Sequence, residues 1–371
     1  MRRSGIFSFP IFVFTVAAAF GQVPARTDQH AWQPNHFAEH AENYAGAQAC
    51  ASCHPAKARN QGESEMGLSV LRPADDTVLI AHPAMSFVRG NYTYSLSKQG
   101  DKVIFTATDG KDTITEPVFA AVGSGNVFQA YLIQHNGQWH RAPVDYFAAQ
   151  GKLGADPDAS KEMPAGLDSA LGASLNADNV RGCFQCHSPV NVIGGNLDVT
   201  SQTPGIRCET CHGPGAKHVA QARRGKPHDA EMFNPAHSTP QAQAEFCNSC
   251  HVSAANMKKQ NPPGTRSVTS EDLRLQTSRC WNAADKRIGC VACHDSHAPM
   301  EQSTAAYDSK CLACHTVRGG AAQADHPGKS CPKATSDCAG CHMPKVVVPN
   351  TSILYADHRI RIARAGAPFP E

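Results

Sequence analysis

Seven times the 371-residue chain reads Cys-x-x-Cys-His. The units are Cys50/Cys53/His54, Cys183/Cys186/His187, Cys208/Cys211/His212, Cys247/Cys250/His251, Cys290/Cys293/His294, Cys311/Cys314/His315 and Cys338/Cys341/His342. They take 14 of the 16 cysteines and 7 of the 19 histidines, where chance placement at this composition gives about 0.04 such units. Two thiols three positions apart can form thioethers with the two vinyl groups of one haem, and the imidazole that follows can meet the iron from the proximal side. Zinc ribbons use two Cys-x-x-Cys pairs per metal and need no histidine after each, so seven units leave one over. A disulfide scaffold or a thioredoxin-like redox pair likewise leaves the histidine step unexplained. The spacing implies seven covalently attached haem c groups.

Composition agrees with an interior that is not filled by side chains alone. Hydrophobic content is 41% with only 7% aromatics, a modest core for this length, and haem faces would supply apolar surface in its place. Lys and Arg total 34 against 32 Asp and Glu, a formal charge of +2, which excludes a polybasic nucleic-acid binder. Each haem adds about −1 when ferric and −2 when ferrous once its propionates ionise, so seven would make the loaded chain an anion of roughly −7 to −14. Arg223, Arg224, Lys258 and Lys259 are candidates to offset propionates, or are plain solvated charges.

The N-terminus carries an export signal. Arg2 and Arg3 precede an apolar stretch from Ile6 to Phe20, and Ala19-Phe20-Gly21 offers a cleavage site before Gln22. An uncleaved N-terminal anchor is the alternative; either places the body of the chain outside the cytoplasm, in the periplasm. Nothing beyond residue 20 resembles a membrane span of roughly 20 apolar residues, so the mature chain is expected to have no transmembrane segment. Cys280 and Cys331 lie outside the motifs. In an oxidising compartment they would pair or remain as two buried thiols.

Successive motifs are 133, 25, 39, 43, 21 and 27 residues apart. The first therefore stands alone in an N-terminal segment, 22–85, and six follow in quick succession within 181–371. Between them Tyr92, Tyr94 and Leu96 alternate with polar residues, and Val103–Thr108, Val118–Val122 and Val127–Ile133 are β-prone. Gln99-Gly100, Asp109-Gly110 and Asn136-Gly137 punctuate these runs, the last two being tight hairpin signals. The expectation is a small antiparallel β insert over 86–142 and a connecting loop region over 143–180. The remainder is expected to be a multihaem fold of mainly short α-helices and coil organised by its covalent cofactors.

The chain resembles the multihaem cytochromes of the cytochrome c-554-like family, whose haem module is often fused to tetratricopeptide repeats. The resemblance rests on Gly205-Ile206-Arg207-Cys208-Glu209-Thr210-Cys211-His212-Gly213-Pro214-Gly215 through His218, on Ser278-Arg279-Cys280-Trp281, on Cys290 to His297, on Cys338 to Lys345 and on Asp357-His358-Arg359-Ile360. Gly123-Ser124-Gly125, Tyr131 and Pro143-Val144-Asp145-Tyr146 resemble the family's β segment, and no repeat array follows in this sequence. The resemblance implies electron transfer through closely packed haems, redox proteins as donor and acceptor, and attachment by the cytochrome c maturation machinery. Some relatives act on small nitrogen or sulfur compounds, so a redox enzyme with one open-coordination haem is the alternative. No Cys-x-x-Cys-Lys unit, the variant that marks a catalytic haem in ammonia-forming nitrite reductases, is present.

A sixth ligand must approach each iron from the face opposite its proximal histidine. His297, three residues after His294, cannot easily reach around its own haem and is a candidate for a neighbouring one; His218 is constrained similarly. His358 and His82 complete the favoured set, with His36 and His40 less favoured. His135 and His140 read as surface residues, and Met66 as either a thioether ligand or a packing side chain.

Overall fold

The computed structural model describes residues 32–34, 41–157, 159, 162–199, 203–260, 264–315, 331–349, 353–364, 366 and 368–370. The expected export signal, His36 and His40 lie outside the described residues.

The dominant element is one antiparallel sheet of ten strands. These are β1 (Val70–Leu71), β2 (Ala84–Arg89), β3 (Tyr92–Gln99), β4 (Lys102–Thr108), β5 (Thr113–Val122), β6 (Phe128–His135), β7 (Gln138–Arg141), β8 (Val144–Phe147), β9 (Lys152–Ala155) and β10 (Ala173–Leu175). Strands β2 to β7 form a meander in which each pairs with the next. Its turns follow from local chemistry. Asn136 and Gly137 take φ of 49° and 77°, the left-handed pair that a two-residue hairpin requires. In the β4–β5 loop the Asp109 carboxylate accepts from the amides of Lys111 and Asp112 at 2.9 and 2.8 Å, closing the turn through its own side chain.

Alternation fixes which face is buried. Tyr94, Leu96, Val103, Phe105 and Ala107 point inward with Tyr131, Ile133, Val144, Leu153 and Leu171. A register irregularity between Val118 and Ala120 bends β5, which pairs with β4 before it and with β1 and β6 after it. Ala120 and Leu132 then face a second, smaller core. The helix α4 described below packs there through Val180 and Phe184, with Phe119 edge-on to Trp139 at 4.8 Å.

The expectation of mainly short helices with a small β insert is overturned. The sheet reaches from Val70 to Leu175, with β1 ahead of the expected insert and β8 to β10 inside the stretch read as a connecting loop. All four residues of β8 are buried, so it shows none of the alternation that marks a half-exposed strand, and two- to four-residue strands carry no periodicity. This part of the chain builds its core from its own side chains.

The helices are short. They are α1 (Ala47–Ala51), α2 (Pro55–Glu63), α3 (Thr77–Ala81), α4 (Ala177–His187), α5 (Cys208–His212), α6 (Ala216–Arg223), α7 (Pro240–Cys247), α8 (Ala254–Gln260), α9 (Glu271–Gln276), α10 (Cys290–Cys293), α11 (Asp308–Leu312) and α12 (Cys338–His342). Asn176 starts α4 with a reciprocal capping box to Asn179. Two small ribbons complete the fold: β11 (Val192–Ile193) with β12 (Asn196–Leu197), and β13 (Lys345–Val347) with β14 (Leu354–Ala356). Among the described residues no helix is long and apolar enough to cross a membrane.

Candidate haem-binding sites

Each motif folds as one helical turn. The second, third and seventh lie within α4, α5 and α12. In the other four the histidine amide donates to the carbonyl of the first cysteine: His54 to Cys50 at 2.8 Å, His251 to Cys247 at 3.0 Å, His294 to Cys290 at 3.0 Å and His315 to Cys311 at 2.8 Å. Positions i, i+3 and i+4 share one face of such a turn, so both thiols and the imidazole are presented together.

Protein side chains cover the motif cysteines unevenly. Cys53 and Cys341 are exposed, as is Cys293, whereas the other eleven are partly covered. The cause is local. Each is the second cysteine of its motif, set on or just beyond a helix of four or five residues that buries little: α1 and α10 bury no residue, and α12 buries only Ala339. The exposed Ser52 hydroxyl lies 3.8 Å from the Cys53 thiol. Side chains of the fold therefore leave these three thiols at its rim.

Several imidazoles are oriented through Nδ1. That nitrogen of His187 lies 3.1 Å from the Ser69 carbonyl, that of His212 2.7 Å from the Phe233 carbonyl and that of His342 2.8 Å from the Arg361 carbonyl. His218 and His358 do the same with Ala230 and Ala356, at 2.9 and 3.1 Å. A backbone carbonyl can only accept, so Nδ1 carries the hydrogen and Nε2 keeps the lone pair, the orientation that metal-bound histidines use. His294 differs, its Nδ1 lying 3.5 Å from the Tyr307 hydroxyl. Burial lowers the pKa of His187, His294 and His297, further lowered in the last two by His358 and Lys57 respectively. These rings are therefore held toward the neutral form that coordinates.

Two pairs of rings face each other. His212 and His297 stand 6.0 Å apart between centroids with planes within 8° of parallel, and His294 and His358 stand 6.2 Å apart at 45°. Two imidazoles bound to opposite sides of one metal at about 2 Å place their centroids about 6 Å apart. Paired thiols on a helical face, Nδ1-anchored imidazoles and ring pairs at this separation fit covalent haem. Among the described residues no three of His, Cys, Asp and Glu converge to hold a bare ion.

The motifs also contact one another. Side chains meet between Cys50 and Cys208, Cys186 and Cys250, Cys247 and Cys290, and Cys311 and Cys338. A hydrogen bond from Cys50 draws the Cys208 thiol down to about 6, while the same contact, with burial, pushes Cys50 up. In the same way Cys250 draws Cys186 down to about 7. The first and third motifs are joined by Glu209, a buried residue whose carboxylate accepts from the amides of Ala45 and Gly46 at 2.8 and 2.9 Å and of Gly215 at 2.7 Å. The sixth and seventh are joined by Asp308, which accepts from Asp337 and Cys338 amides at 2.7 and 2.8 Å.

The other candidates are placed differently. His82 uses Nε2 on the Tyr146 hydroxyl at 3.2 Å, with the rings 5.3 Å apart. His135 pairs with Glu116 at 2.6 Å, and His140 lies on β7 with Nδ1 3.5 Å from the Gly172 carbonyl. Met66 anchors the chain through its carbonyl, which accepts from Ile206 at 2.8 Å. Cys280 and Cys331 are unbridged; Cys280 is half-buried and near Cys314. Sequence reading misses Glu209, Asp308, Arg274 and Tyr307 as supports of the motifs. Only Glu209 carries a signal, as an acidic residue inside a motif.

Residues 144–213 match the family described as cytochrome c554 and c-prime. The segment spans β8 to α5 and holds the second and third motifs. No curated protein matches the chain. Among solved structures it is similar to the outer cell wall cytochrome OcwA, at 16% identity and a TM-score of 0.49, over 86% of this chain and 80% of that one. Residues 144–213 thus carry a cytochrome c554 and c-prime segment, and the chain as a whole repeats seven times the motif by which c-type cytochromes bind haem covalently.

Proposed function

We propose that the chain is a periplasmic heptahaem cytochrome that conducts electrons through closely packed haems. Each group, when bound, supplies an iron that cycles between Fe(II) and Fe(III) at a potential set by its ligands, burial and hydrogen bonds. The fourteen motif cysteines hold the groups, and the seven motif histidines serve as proximal ligands. His297 completes coordination at the third motif and His358 at the fifth. His218 has the same Nδ1 anchoring and serves a neighbouring motif.

The observation that carries this reading is the ring pair His212–His297. One ligand stands in the third motif and the other immediately follows the fifth, so the residues that hold one group also tie it to the next. The sulfur contacts extend the same logic: the first motif touches the third, the second touches the fourth, the fourth touches the fifth and the sixth touches the seventh. Export by the N-terminal signal would deliver the chain to the maturation machinery that attaches haem.

Intact mass together with a pyridine haemochrome assay tests the reading directly. Seven haems are expected in the matured protein and six in a Cys50→Ser/Cys53→Ser double variant. A matured chain that carries fewer than seven, or a double variant that retains the full number, overturns the assignment.

A further inference from the structure

The segment from Asp357 to Arg361 serves two motifs at once, and it is held by a residue far away in sequence. The His358 ring faces His294 of the fifth motif at 6.2 Å. Three residues on, the Arg361 carbonyl accepts from Nδ1 of His342 in the seventh motif at 2.8 Å, and the Arg361 amide donates to the His342 carbonyl at 3.2 Å. Between these two functions the chain has almost no regular structure, since β14 ends at Ala356.

What fixes it is Asp357. Its side chain is fully buried, and Arg274 of α9, 3% exposed, grips it with two parallel hydrogen bonds of 2.8 and 2.9 Å. Such a fork constrains orientation as well as distance. The same carboxylate accepts from the Arg359 amide at 3.0 Å and from the Arg361 guanidinium. The remaining arm of Arg274 donates to the Pro370 carbonyl at 2.9 Å, and its plane lies 4.5 Å over the Phe369 ring. Ser278, just beyond α9, adds two contacts: its hydroxyl donates to the His358 carbonyl at 3.2 Å and accepts from the Ile360 amide at 2.8 Å.

We propose that the Arg274–Asp357 pair is a positioning device that presents His358 as the sixth ligand at the fifth motif and the Arg361 carbonyl as the orienting acceptor at the seventh. This rests on the reading of His358 as a ligand. A buried pair is a demanding way to hold a loop, because breaking it leaves an uncompensated charge. Here it holds a loop that presents one ring, His358, and orients a second, His342.

The test is the spin state of the purified, oxidised holoprotein by low-temperature EPR, with carbon monoxide binding to the reduced protein as a second readout. His358→Ala is expected to convert one iron to the high-spin form and to open it to carbon monoxide, with added imidazole reversing both. Asp357→Asn, nearly isosteric, and Arg274→Ala are expected to give the same high-spin signal in part of the molecules with haem content unchanged, and Arg274→Lys a smaller part. If His358→Ala leaves every iron as in the parent, the ligand reading fails and the positioning role with it. If His358→Ala opens an iron while Asp357→Asn and Arg274→Lys remain fully low-spin, the ligand reading stands and the positioning role is overturned.

Discussion

The rings of His212 and His297 lie parallel within 8° at 6.0 Å, although His297 follows the fifth motif and His212 ends the third. A ligand three residues after one proximal histidine cannot easily return to the same iron, and here the His297 ring faces the histidine of another motif. Asp295 helps hold it, accepting from the His297 amide at 2.9 Å, while Lys57 approaches the same carboxylate at 3.5 Å. His297→Ala is expected to leave one iron high-spin in the oxidised protein, with imidazole restoring the low-spin signal and haem mass unchanged. An unchanged spectrum would refute the pairing.

Glu209, inside the third motif, binds the segment just before the first. Truncation to alanine leaves three amide donors without their acceptor, of which that of Gly215 sits in a buried contact. Each unsatisfied buried donor costs about 1–3 kcal/mol, so Glu209→Ala is expected to lower unfolding stability by about 3 kcal/mol. Glu209→Gln, which keeps one oxygen acceptor, should lose less. Urea titration monitored by circular dichroism measures both.

Asp76 opens α3 by accepting from the Leu79 amide at 2.9 Å, and Gln129 donates to its other oxygen at 2.6 Å. Burial nevertheless raises its pKa above the ordinary carboxylate value. The folded chain therefore holds this proton to higher pH than the unfolded chain does. Its contribution to stability is greatest below about pH 4 and declines as pH rises through the folded-state pKa. Asp76→Asn keeps the helix cap and removes that decline. Its Tm relative to the parent should rise between pH 4 and pH 7; parallel Tm profiles would contradict the assignment.

Phe105 is fully buried among Tyr94, Val103 and Leu96. Phe105→Ala is expected to cost about 3–5 kcal/mol through lost burial and the cavity left behind, read as an earlier unfolding transition. Haem content should not change, because no motif residue belongs to that core.

The parts of this molecule that are legible in the sequence are those written in local spacing. The seven motifs, the Asn136-Gly137 turn and the long strands β3 to β6 each carry a short-range signature. The full sheet is not legible, because β1 and β10 are two and three residues long and are defined only by partners elsewhere in the chain. Strand β8 reads as Val-Asp-Tyr-Phe, and its buried Asp145, which pairs with Arg141 at 2.9 Å, disguises it as a loop. Arg274 looks like one more charge on a short helix, and nothing near it in sequence announces Asp357. His82 is favoured by its position, yet the Tyr146 hydroxyl claims its Nε2.

The larger of the two sheet cores runs from Val78 to Leu171 and contains no cysteine at all. Its strands are mostly neighbours in sequence, so loop closure asks little of them. That region can acquire its native form in a newly exported chain before any porphyrin arrives, leaving the flanking motifs accessible to whatever ligates them. Biogenesis would then proceed from a finished scaffold outward, with metal loading as the later stage.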